Sequence, residues 1–98
     1  MKIARWPYRV PEPIDPDAVL DYRIDWSDWL SDGESISVSE WTVSGATKGI
    51  TSFTDDSATV WISDATGTEI QLANRITTDS TPAGRKDERT LIIRVLSR

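Results

Sequence analysis

The chain has 98 residues, enough for one domain and one core. Its formal charge of −5 argues against general nucleic-acid binding, and it contains neither Cys nor His. Those absences exclude a disulfide framework and a thiolate metal site, and remove the commonest acid–base catalyst and metal ligand. No apolar run reaches the length of a membrane span or reads as a signal-peptide core, so the expectation is synthesis in a cytoplasm without export.

Residues Met1 to Asp17 read as an extended N-terminal arm. Pro7, Pro11, Pro13 and Pro16 each fix φ and remove a ladder donor, and charges lie between them. The arm carries two aromatics, Trp6 and Tyr8, and a solvated linker seldom holds a Trp. The arm is therefore expected to lie on a surface, either the flank of its own domain or a neighbouring chain. Lys2, Arg5 and Arg9 make its first nine residues basic, whereas Val10 to Glu34 holds eight acids against Arg23 alone. Such alternation suits docking between copies or with a charged neighbour, although a solvated surface explains it equally well.

From residue 18 the pattern becomes that of strands. Leu20, Tyr22, Ile24 and Trp26 alternate with Asp21, Arg23 and Asp25, the period of a half-buried strand. Trp29 and Leu30 follow in a turn closed by Asp32-Gly33. Ser35 to Ser44 is the next strand, with Ile36 and Val38 on one parity and Trp41 and Val43 on the other. That phase change predicts a bulge or bend carrying the strand between two sheets. Lys48 to Phe53 gives a weaker strand, and Ala58 to Ser63 returns with Val60 and Ile62 on one face and Trp61 on the other.

The final third reads as a hairpin. Ile70, Leu72 and Ile76 form one apolar face, and Leu91, Ile93 and Val95 form another. Between them Thr78 to Glu88 is polar and contains Pro82-Ala-Gly84, long enough for a protruding loop. The expected core is Tyr22, Ile24, Trp26, Ile36, Val38, Trp41, Val60, Ile62, Ile70, Leu72, Ile76, Leu91, Ile93 and Val95. Six or seven short strands at this spacing predict an all-β, two-sheet β-sandwich over 18–98, with the arm over 1–17.

No catalytic set is expected. Asp25, Asp28, Asp32 and Glu34 cluster, but their spacings of three, four and two do not match a calcium loop. They flank a turn rather than a groove, so solvation is the preferred reading over paired-carboxylate chemistry. In Arg85-Lys-Asp-Glu-Arg89 the acids offset the basic residues, which favours a solvated loop, with a charged docking loop second. Trp61 points away from the core parity, and an outward aromatic is the kind of anchor that interfaces use.

Asp15-Pro-Asp-Ala-Val-Leu-Asp-Tyr-Arg-Ile-Asp-Trp, Ala58-Thr-Val-Trp-Ile-Ser, Asn74-Arg-Ile-Thr-Thr and Asp87-Glu-Arg-Thr-Leu occur in this order. Together they resemble a family of small structural proteins of tailed bacteriophages, the fibre–tail adaptors, from about Asp15 to Val95. The resemblance implies an immunoglobulin-like domain with no catalytic residues to carry over, and from the residues themselves no cofactor and no metal are expected. It implies a place in the virion tail after synthesis in the host cytoplasm. Its expected partners are other virion proteins, tail tube or connector and fibre subunits, met in several copies of a symmetric assembly. Nucleic acid, membrane and small-molecule substrate are not expected partners. The residues expected to bind partners are Trp6, Tyr8, Trp61, Arg85 and Arg89. A head-decoration or head-fibre base protein is the alternative, and a carbohydrate-binding module is a second one.

Overall fold

A computed structural model describes residues 6–97, so the basic residues Lys2, Arg5 and Arg98 lie outside the description. Seven strands follow in chain order: β1 (Tyr8–Arg9), β2 (Leu20–Asp25), β3 (Ile36–Ser44), β4 (Thr47–Phe53), β5 (Ser57–Ser63), β6 (Glu69–Thr78) and β7 (Lys86–Arg94). They form a β-sandwich of a four-stranded sheet, β1-β7-β6-β3, and a three-stranded sheet, β2-β5-β4. The described residues contain no helix. All pairings are antiparallel except that of β1 on β7.

Strict alternation along β6 (Ile70, Leu72, Asn74, Ile76 and Thr78 inside) builds one wall of the core. Leu91 and Ile93 of β7 continue it, and Ile24, Ala58, Val60 and Ile62 supply the opposing wall. Gly45 turns the chain from β3 into β4 with φ +88, where a Cβ would also stand 3.0 Å from Ile70 Cγ2. That position therefore favours glycine twice over, by backbone and by space.

The core list needs one correction, at Val38, which is 47% exposed. The register slips between Ile36 and Val38, so the bulge lies two residues earlier than the parity change implied. All of β3 after it keeps Ser39, Trp41 and Val43 on the inner side, and the strand stays in one sheet throughout. Tyr22 and Val95 pack against the core half-buried.

The boundary at 17/18 is corrected as well. Tyr8 and Arg9 pair in parallel with Leu91 and Ile92, and Val10 N–H donates to Ile92 O at 2.9 Å. Ile14 is fully buried, and its N–H and C=O bond Arg94 O and Leu96 N–H, each at 2.9 Å. The prolines punctuate this segment without stopping it, because an edge strand needs donors on one side only. The part of the expected arm from Tyr8 to Ile14 thus lies along an edge of the sandwich.

Candidate functional site

Cross-strand register sets Trp41, Asn74 and Arg89 side by side on β3, β6 and β7, all facing inward. The Arg89 guanidinium lies 4.3 Å from the Trp26 ring centroid and 5.0 Å from that of Trp6. Its Nη1 donates to Asp25 O and Asp28 Oδ1, both at 2.9 Å, and Nη2 donates to Asp28 Oδ2 at 3.1 Å. A planar, weakly hydrated cation with a fork of donors is suited to such a slot, where Lys would lack both the flat face and the fork. Asp28 remains 59% exposed, so the pair borders water and escapes the full cost of a buried ion pair.

Beneath Arg89 the Trp26 indole N–H donates to Asn74 Oδ1 at 2.9 Å. The Asn74 amide nitrogen in turn donates to Ser39 Oγ at 2.9 Å and Glu40 O at 3.1 Å. A fully buried amide is tolerated here because both of its ends are satisfied.

The β2–β3 loop makes a second cluster against the β6–β7 loop. Arg85 sits 4.1 Å from the Trp29 ring centroid and forks onto Glu34, with Nε to Oε2 at 2.9 Å and Nη2 to Oε1. Ser31 N–H donates to Glu34 Oε1 at 2.9 Å, and Thr78 Oγ1 donates to Oε2. The Arg85 bonds above all, then those from Ser31 and Thr78, draw the Glu34 carboxyl down to about 2. Arg85 is pushed above its ordinary range by the same carboxylate. Trp29 meets Trp26 edge to face with centroids 5.6 Å apart, so the two clusters share a wall.

The outer face of the β2-β5-β4 sheet differs. Trp61 is 42% exposed there, paired in register with Asp21 of β2. On the other side, Gly49 and Ile50 together oppose it across a bulge in β4. Ile50 is 76% exposed and Val19, just before β2, 63%. These apolar residues thus lie on β4, on β5 and just before β2, on a sheet otherwise edged by Asp21, Arg23 and Asp25.

The chain matches the family model of the podophage GP4 fiber-tail adaptor protein gp77 over residues 15–94. It belongs to that family. No curated protein and no solved structure matches it. The matched span takes in β2 to β7 and leaves Trp6 and Tyr8 before it.

Against this adaptor frame the expected partner-binding residues separate. Trp61 and Tyr8 are each 42% exposed. Trp6 is half-buried, packed on the core and on Arg89, with its ring centroid 6.0 Å from that of Tyr8. Arg85 is already held by Glu34 and Trp29. Arg89 is the correction: at 7% exposure it faces the interior of its own domain, and the run from Lys86 onward is strand rather than solvated loop. Of the four clustered acids, Asp28 and Glu34 hold arginines and Asp25 Oδ1 accepts from Ser27 N–H at 2.9 Å. That backbone bond is the main cause holding the Asp25 carboxyl below its ordinary value. Among the described residues no cluster of three or more acidic side chains is placed to hold a metal ion. Asn74 and Asp28 were missed as structural centres. The signal for Asn74 and Arg89 was available, since they share parity with Ile70, Leu72 and Ile76 and with Leu91 and Ile93 respectively.

Proposed function

We propose that this domain is a tail-located coupler joining the tail tube or connector of the virion to its fibre subunits. It acts in several copies of a symmetric assembly and makes its main contact through the outer face of the β2-β5-β4 sheet. The observation that carries this reading is Trp61, exposed on β5 with Asp21 beside it and Ile50 opposite, on a domain whose other four tryptophans are half-buried or buried. A large exposed aromatic with further apolar side chains on the same face is the kind of residue on which interface hot spots centre. Tyr8, at the far edge on β1, is the anchor for a second neighbour, as an adaptor between two structures requires. The clusters around Arg89 and Arg85 then serve rigidity, holding the two anchors on a fixed frame.

The experiment is quantitative mass spectrometry of purified tails and heads carrying Trp61→Ser. Wild-type protein is expected in the tail fraction, with Trp61→Ser folded but depleted from particles. Normal incorporation of the folded variant removes this face from the contact, and recovery of wild type in heads alone removes the tail assignment.

A further inference from the structure

We propose that Trp61 and Asp21 form an open receptor for an arginine side chain presented by a partner virion protein. This rests on the reading of the Trp61 face as an interface, and it names what that interface takes.

The chain displays the chemistry twice within itself. Arg89 is held by the faces of Trp26 and Trp6 and forked onto Asp28, and Arg85 is held by the face of Trp29 and forked onto Glu34. In each case a carboxylate and at least one indole, two at Arg89, grip a guanidinium. Trp61 and Asp21 repeat the pair without the cation. They are register partners on β5 and β2, which puts their Cβ atoms about 4.5–5.5 Å apart. Both point to the outer face. Among the described residues the Asp21 carboxylate has no hydrogen bond or ion pair, and no cation stands over the Trp61 ring. Arg23, two residues along the same face, acts instead on Asp25, whose carboxyl it helps to hold down.

The third strand places a glycine beside Trp61, which is 42% exposed. A Cβ at Gly49 would stand 3.2 Å from Trp61 O and 3.5 Å from Trp61 Cβ, so any side chain there would crowd the indole's flank. With glycine in place, the ring face and the neighbouring carboxylate are open together. Arginine fits this better than lysine, because its plane stacks on the indole while its edge forks onto the carboxylate. An ammonium can do only one of these well.

The test titrates full-length protein with acetyl-Gly-Arg-Gly-amide and its lysine analogue, following backbone amide shifts of β2 and β5 by NMR. Saturable shifts centred on Asp21 and Trp61 are expected, tighter for the arginine peptide and weakened by salt. Asp21→Asn should reduce the arginine peptide's affinity about tenfold with the melting temperature unchanged. Equal binding of both peptides, or an Asp21→Asn variant that binds as wild type, overturns the receptor. Particle incorporation separates this from the interface reading. If Trp61→Ser is depleted while Asp21→Asn incorporates normally, the face is an interface whose occupant is not arginine, and the receptor is overturned. If both incorporate normally while arginine binding depends on Asp21, the interface reading falls and takes the virion partner with it, so the receptor as proposed is overturned although the pair binds arginine.

Discussion

Arg89 and Asp21 occupy the two kinds of place this sandwich offers beside a tryptophan. Around Arg89 the grip is closed: two indoles, a carboxylate, a backbone carbonyl and, beneath them, the Trp26–Asn74 bond tie β1, β2, β6, β7 and the β2–β3 loop together. Around Asp21 the same residue types lie on a sheet's outer face with one side open to solvent. The difference teaches that an indole beside a carboxylate has no fixed meaning. Facing inward, it organises a core and is saturated by its own chain. Facing outward, it stays partly exposed to solvent.

Substitutions that empty the closed side should cost most. Trp26→Ala is expected to lose about 3–5 kcal/mol, the usual cost of removing a core aromatic. The Asn74 amide loses its buried donor as well, and urea denaturation measures the sum. An unchanged midpoint would mean that the closed grip does not hold the sheets together. Arg89→Met keeps the length but removes the fork, and should cost about 2 kcal/mol. The loss is moderated because Asp28 can return to water. Trp6→Ala should cost about 1–2 kcal/mol, since half of an indole face and its packing on Arg89 disappear. A variant melting like wild type would restore the picture of a dispensable arm.

The Glu34 cluster sharpens the comparison through pH. Its folded carboxyl titrates at about 2, well below the ordinary 4.5, so the unfolded chain takes up that proton first as pH falls. The stability contributed is full above 4.5 and is lost progressively toward 2. Melting temperatures of wild type and Glu34→Gln should therefore differ most above pH 4.5 and converge on acidification below it. A gap that stays constant across the range would detach Glu34 from the acid response. The smallest effect on folding belongs to the open side. Trp61→Ser should change stability by no more than about 0.5 kcal/mol while depleting the protein from particles. A large loss of stability would place the ring inside the fold's own energetics and erase the contrast.

Much of the frame was legible residue by residue. Strand alternation needs only the period of two, so Leu20–Asp25, Ser57–Ser63 and the Glu69–Arg94 hairpin followed from apolar spacing, and the loop inside the hairpin from its proline and glycine. Trp61 could be assigned to the outer face because its neighbours Val60 and Ile62 define the inner one. Charge was the misleading signal. Arg89 reads as a solvated residue in a mixed-charge run, and its parity with Leu91 and Ile93 carries less weight than its charge until a partner is known.

What the sequence by itself determined is therefore local: which residues extend, which face each side chain takes along a strand, and where the chain turns. Tertiary structure alone decided what lies across from each face. Asp28 meets Arg89 from 61 positions away, Trp26 meets Asn74 across 48 and Arg85 meets Glu34 across 51. It also decided that Ile14, between two prolines, closes the core rather than leading out of it. Pairings at such separations depend on how two sheets stack, and a buried cation is tolerated only where that stacking brings an indole face and a carboxylate to it at once. At Trp61 the pairing of β2 with β5 instead set one carboxylate and one ring side by side on an outer face, where the ring stays 42% exposed.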